Sequence, residues 1–258
     1  MEKERLCKMD LHTHTKESRC ASRLAELSGY LPFCESEGIE AIGIADHLYD
    51  GRGLEAMCRT KQDAERFCGC GVEIYIGCEA ELFYTREPYL TREMAKELDY
   101  VLLSPSHIYN LIGAYTDFDL STPESAKIIL LENFKNACLL DFGVPTGIAH
   151  PLYPISAPFK QQIIDGYTED ELCECYTLAA KTGKSIEIHA CVYRKGVYLD
   201  EEGLSPRYIE MLSIAKKCGC KFHFGSDAHS AESFCNKHAL LERAAQRAGI
   251  TKDDLWSF

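Results

Sequence analysis

The chain has 258 residues, with 28 Lys and Arg against 40 Asp and Glu, a formal charge of −12. At 46% hydrophobic and 26% charged it is long and apolar enough to bury a full core, which excludes a disordered, collagen-like or coiled-coil chain. The acidic balance and the lack of a Lys/Arg-rich run disfavour nucleic acid as a partner, and the apolar stretches fall far short of a membrane span. The opening MEKERLCKMD is charged and shows no apolar leader, so a cytoplasmic protein is expected.

In chain order, CKMDLHTH (7–14) reads as a first strand and 22–37 as a helical pattern. AIGIADH (41–47) is a second strand, followed by a helical pattern at 60–68. EIYIGCE (73–79) and YVLLSPSH (100–107) are the third and fourth strands, with a helical pattern at 91–98 between them. Residues 122–142 predict a helix with Thr122 as N-cap and Pro123 at its first position. PTGIAH (145–150) is the fifth strand, and the helix-poor stretch 151–167 predicts a long loop over one end of the fold. Residues 168–183 open with the capping box Thr168-x-x-Glu171 and stop at Gly183. SIEIHA (185–190) is the sixth strand, a helix runs from Ser205-Pro206 to Gly219, KFHFGSDAH (221–229) is the seventh strand, and 231–248 is helical.

Strands alternating with helices predict parallel βαβ units, and seven of them at this length predict one α/β domain, 1–258, closed as a TIM-like (β/α)7 barrel. The competitor is a doubly wound open sheet, but no G-x-G-x-x-G follows the first strand. The 14 cysteines include three C-x-C pairs, none with C-x-x-C spacing, and read as reduced, mostly buried thiols.

The C-terminal ends of barrel strands converge on one face, where active sites form. Seven of the nine histidines fall at such predicted ends: His12, His14, His47, His107, His150, His189 and His229. Glu79 and Asp227 end strands as well, and Glu187 alternates onto the same face as His189. Imidazoles and carboxylates packed together are costly to bury without a cation. Divalent Zn, Mn or Fe suits these N/O ligands, and the ligand count predicts two or three ions. Such clusters acidify a water and clamp an electrophile, with phosphate esters and amide-like bonds as common targets.

Taken in order, D-L-H-T-H-T, A-D-H, G-x-E, S-x-S-H, A-H-P and G-S-D-A-H resemble the motifs of the polymerase and histidinol phosphatase (PHP) superfamily from Asp10 to His229. The resemblance implies a distorted (β/α)7 barrel with a trinuclear metal centre. It implies His12, His14, Glu79 and Asp227 at one metal, Glu79 bridging to a second held also by His107 and His150, and His47 and His229 at a third. Where the family often has a further His, this chain has Cys20, a thiol able to hold zinc. His189 stands where many phosphatase relatives carry Asn and is a candidate for substrate contact or proton donation, while Arg194 matches a basic position suited to gripping phosphate, with Lys195 beside it.

The resulting expectation is a metal-dependent phosphoesterase acting on a small phosphomonoester, with L-histidinol phosphate of histidine biosynthesis foremost and Asp227 or His229 as proton source for the leaving group. The alternatives are another small-molecule or nucleotide phosphatase, a nuclease acting on nucleic-acid ends, and an inactive metal-binding domain. Asp10 and Asp46 are read as supports turned away from the ligands, His223 as a core histidine and His238 as a surface one.

Overall fold

Strands and helices alternate in the computed structural model, which describes residues 5–82, 88–109, 120–189, 196–235 and 237–257. The order is β1 (Met9–Thr13), α1 (Leu27–Glu37), β2 (Ala41–Ile44), β3 (His47–Leu48), α2 (Gly51–Glu65), β4 (Glu73–Glu81), α3 (Arg92–Ala95), β5 (Tyr100–Ser104) and α4 (Pro123–Leu139). It continues with β6 (Thr146–Ile148), α5 (Lys160–Asp165), α6 (Glu169–Lys181), β7 (Ser185–His189), α7 (Pro206–Lys217), β8 (Phe222–Gly225), α8 (Ala231–Phe234) and α9 (His238–Arg247). Neighbouring strands pair in parallel in the order β1-β2-β4-β5-β6-β7-β8, and β3 continues the course of β2 beside β4. This is the predicted seven-strand barrel. Its seam is closed at one end, where Thr13 bridges Ala228, His14 N donates to the Ala228 carbonyl at 2.9 Å and Asp227 N to the His12 carbonyl at 2.8 Å.

Two apolar layers result from period-2 alternation. On β5, Val101 and Leu103 face the main core under the helices, whereas Tyr100 and Leu102 join Leu11, Ala45 and Ala149 in a separate inner cluster. Tyr100 fills the barrel. A Cβ on Gly43 or Gly77 would lie 2.4 or 2.5 Å from its ring or hydroxyl, and its hydroxyl donates to the Leu11 carbonyl at 2.6 Å.

Local signals explain the helix limits. The Thr122 hydroxyl accepts from Ser125 N, Thr168 and Glu171 form the reciprocal capping box, and Ser205 caps α7. Gly183 and Gly219 take the left-handed backbone just beyond the ends of α6 and α7.

Four stretches differ from the sequence reading. The helix predicted over 22–37 begins only at Leu27, because 15–26 is drawn into a loop: Lys16 N bonds the Ala25 carbonyl and Ser22 N the His229 carbonyl. The helix predicted at 60–68 starts at Gly51, capped by Asp50, and its two early glycines masked it; a Cβ on Gly53 would strike Leu48 and the His47 carbonyl. Within 151–167 the predicted loop contains α5, and the helix predicted over 231–248 is divided into α8 and α9. Every described cysteine is a free thiol, and no described helix is long and apolar enough to cross a membrane.

Candidate metal centre

The irregular register of β1 between Asp10 and Thr13 separates two residues that strict alternation would keep together. Asp10 turns to α9, where its Oδ2 lies 2.8 Å from His238 Nε2, while its Oδ1 accepts from His12 N and Ser226 N. His12 turns the other way, into the centre. Asp46 is a similar support: it accepts from Thr15 N, Thr15 Oγ1, Ser18 Oγ and Thr60 Oγ1 at 2.7–3.0 Å. That network holds the 15–26 loop over the strand ends.

The imidazole rings share one orientation rule. Nδ1 of His12 lies 2.6 Å from Glu187 Oε1, that of His150 2.5 Å from Ser106 Oγ, and that of His229 2.9 Å from the Asp227 carbonyl. Nδ1 of His107 lies 3.0 Å from Ser104 Oγ and 2.9 Å from both oxygens of Glu81, and that of His14 3.3 Å from Ser18 Oγ. With Nδ1 tied, Nε2 points inward. His12 Nε2 and His14 Nε2 are 3.2 Å apart and lie 3.3 and 3.4 Å from Glu79 Oε2. His14 Nε2 is 3.2 Å from Asp227 Oδ1, His150 Nε2 2.7 Å from Glu79 Oε1, and His107 Nε2 3.8 Å from the same oxygen. Glu79 therefore stands at the junction of both sets.

Donor atoms gather accordingly. His12, His14 and Asp227 form one group, His12, Glu79 and His150 another, His14, His47 and His229 a third, and His47, Glu79, Glu81 and His107 a fourth; within each, the donors lie within 4.8 Å of one another. Cys20, at the rim, falls in none of these groups; burial pushes its thiol pKa up, and His229 and His47 bring it down to about 7. Burial lowers His14 to about 3 and His150 to about 4, so both are neutral ligand forms at pH 7, whereas at His12, His47 and His107 the neighbouring carboxylates outweigh burial and raise the pKa. Burial opposes ionisation of Glu187, but His12 and His189 outweigh it and hold the carboxyl at about 2. Glu79 is likewise burdened by burial and held well below the carboxylate range by His47, His12 and His107. A negative, nitrogen- and oxygen-lined centre with Nε2 atoms converging fits divalent cations.

Two ligand candidates sit on unusual backbone. His150 (φ 30) and Asp227 (φ 52) lie in the left-handed region, which disfavours side chains other than glycine. They are clamped there: His150 N donates to Glu187 Oε2 at 2.5 Å and Asp227 N to the His12 carbonyl.

His189 is fully buried rather than at the mouth, with Nε2 3.3 Å from Asp227 Oδ2. Arg194 and Lys195 lie outside the described residues. His223 is the expected core histidine, bonded to Ser185 Oγ at 2.8 Å. His238 is not on the surface: it is fully buried, because as the first residue of α9 it bonds Asp10 of β1 and Glu37 of α1. Sequence reasoning missed Glu81, although E-A-E at 79–81 carried the period-2 signal that puts both carboxylates on one face. A cavity of about 680 Å³ lies between the end of α2 and β4, lined by residues such as Lys61, Phe67 and Tyr75 and by none of the cluster. A cavity of about 150 Å³ lined by Ser18, Arg19, Tyr49 and Arg52 reaches His47.

Fold and site together define a parallel βα barrel with a buried multi-histidine centre at its strand ends that could hold metal ions. The chain belongs to the PHP domain family, whose model matches residues 10–190. Asp227 and His229 lie past that match and are brought to the centre by closure of β8 on β1. The solved structure of a protein provisionally assigned as histidinol phosphatase HisK, from Listeria monocytogenes, is similar over 90% of this chain and 99% of its own, at TM-score 0.67 and 15% identity. N-isopropylammelide isopropylaminohydrolase from Burkholderia multivorans is similar over 90% of this chain and 58% of its own, at TM-score 0.48 and 15% identity. No curated protein matches the chain by sequence.

Proposed function

We propose that the chain is a metal-dependent phosphoesterase acting on a small phosphomonoester, with L-histidinol phosphate the first substrate to test. The observation that carries this reading is the inward convergence of Nε2 from His12, His14, His107 and His150 on Glu79 and Asp227, each Nδ1 being tied outside. His12, His14, Glu79 and Asp227 would hold one ion, Glu79, His107 and His150 a second, and His47, His229 and Cys20 a third. What such ions supply when bound is acidification of a water and neutralisation of phosphoryl charge. The similarity to the Listeria protein over nearly its whole length supports the histidinol phosphate choice.

The chain's own residues do the rest. Glu187 and Ser106 fix the His12 and His150 rings, so the ligands need no reorganisation. The leaving alkoxide needs a proton. A solvent water can relay it beside His229, which is 32% exposed and 3.4 Å from Asp227 Oδ1. Arg194 and Lys195 are the candidates for gripping the phosphate, and His189 acts through Asp227.

The test is phosphate release from L-histidinol phosphate, AMP and p-nitrophenyl phosphate with Mn or Zn supplied. A kcat/KM for histidinol phosphate well above the other two is expected. Similar low rates on all three would discard that substrate, and turnover that survives His12→Ala and Asp227→Ala would discard the phosphoesterase mechanism.

A further inference from the structure

Most histidines of the centre meet a support of their own, and two, His47 and His107, also meet one carboxylate in common. Glu81, at the end of β4, is fully buried. Its Oε1 lies 2.9 Å from His47 Nδ1 and 2.9 Å from His107 Nδ1, and its Oε2 is 2.9 Å from His107 Nδ1 as well. Oε1 thus faces both ring nitrogens and Oε2 that of His107, while His47 Nδ1 also lies 3.0 Å from Glu79 Oε2. His107 keeps Nε2 toward Glu79, and His47 belongs both to the group with His14 and His229 and to the group with Glu79, Glu81 and His107.

We propose that Glu81 is a shared positioning residue: one buried carboxylate that fixes the rings of His47 and His107 and so couples the two metal sites those histidines serve. This rests on the assignment of His107 and His47 to separate ions made above. The chemistry requires a carboxylate. An ionised carboxylate accepts from two N–H donors at once, whereas the glutamine amide offers one acceptor oxygen and a donor NH2 that would face the second Nδ1–H. Glu187 performs the simpler version of this task, for His12 alone among the rings. The chain therefore has two supports of unequal reach: loss of Glu187 loosens the His12 site, and loss of Glu81 loosens two sites together.

The experiment is zinc binding by competition with a chelator, with metal content measured on full-length wild type, Glu81→Gln, Glu81→Asp and Glu187→Gln. Removing an outer support of this kind weakens metal affinity about 10–100-fold. In E81Q that loss is expected at two ions together, with the ion of His12, His14 and Asp227 kept; E81D, which retains the charge, restores part of it; E187Q weakens the His12 ion. Loss of a single ion, of none, or of all ions equally in E81Q would overturn the proposal. Long-range nitrogen–proton NMR of histidine-labelled, zinc-loaded wild type reads the rings directly and needs no variant to fold. It should show protonated Nδ1 and metal-bound Nε2 at both His47 and His107, and zinc on Nδ1 of either ring refutes the positioning role. These readouts involve no turnover: wild type inactive on every phosphoester with the paired loss intact would sink the phosphoesterase reading alone, and an active wild type with unpaired loss would sink this inference alone.

Discussion

Gly225 offers a sharp probe of the centre, because its missing side chain is where Glu187 sits. A Cβ added there would lie 1.9 Å from Glu187 Oε1, 2.7 Å from Glu187 Cδ and 2.7 Å from His12 Cβ. Gly225 is not among the glycines in the left-handed region, so alanine meets no backbone penalty and the effect isolates the contact. Glu187 cannot yield freely, since it is fully buried and bonded to His12 Nδ1 at 2.6 Å and to His150 N at 2.5 Å. Forcing an extra methyl into a packed interior costs about 1–3 kcal/mol. Breaking a charge-assisted hydrogen bond costs about 1.5–3 kcal/mol. One displacement causes both, so the terms overlap, and Gly225→Ala should destabilise the metal-free protein by about 3 kcal/mol, taking the two ranges together. At about 2–4 °C per kcal/mol for a chain of this size, Tm should fall by about 6–12 °C. Zinc affinity at the His12 site should fall about 10–100-fold as the ring loses its support. Calorimetry with chelator and with zinc, together with metal content, measures both. An alanine variant that melts within about 2 °C of wild type, the order of a sub-kcal/mol change, and holds zinc as tightly would show that Glu187 moves at no cost, and the reasoning would fail.

Other consequences can be measured separately. Burial opposes the charge on His238, yet Asp10 and Glu37 raise its pKa above the ordinary imidazole value. A raised native pKa gives stability that is full below the unfolded pKa of about 6.5 and is lost as pH rises through the native one. His238→Gln should therefore cost about 3 kcal/mol at pH 5, with the gap to wild type narrowing at alkaline pH, and a pH-independent gap in denaturant melts would contradict the charged bridge. Cys20→Ser should shift competition between zinc and manganese toward manganese, because a thiolate favours zinc and a hydroxyl does not; an unchanged metal ratio would remove Cys20 from the ligands. Gly77→Ala would place a Cβ 2.5 Å from Tyr100 Cζ, and the rigid buried ring cannot retreat, so a loss of about 2 kcal/mol is expected, partly relieved by Tyr100→Leu. No relief in the double variant would mean that Tyr100 does not fill the barrel as described.

Much of the fold and of the centre is legible in the amino-acid sequence. Alternating strands and helices specify parallel βαβ units, and residues 122–142, 168–183 and 205–219 carry their caps and stops openly, so their helices lie where the caps put them. The H-x-H of β1, the A-D-H after β2 and the G-S-D-A-H after β8 mark the strand ends that meet at the centre, because polar residues that could bind a cation stand where apolar runs stop. Local signals are weaker where tertiary contacts override propensity. Asp46 pulls Thr15 and Ser18 into a loop and delays α1, and the start of α2 is hidden in part by Gly53, which close packing against β3 needs.

What the sequence by itself determined is the order of strands and helices and the kinds of donor at each strand end, since both follow from periodicity and residue chemistry along the chain. What only the tertiary structure decided is the support around those donors. Glu187 behind His12, Glu81 shared by His47 and His107, and His238 bridging Asp10 to Glu37 join residues 26 to 228 positions apart or on opposite sides of the barrel seam. The Glu187 and His238 pairings arise only when β8 closes on β1 and the Glu81 pairing only when β3, β4 and β5 align, and no local pattern along the chain encodes which buried carboxylate a given ring will meet.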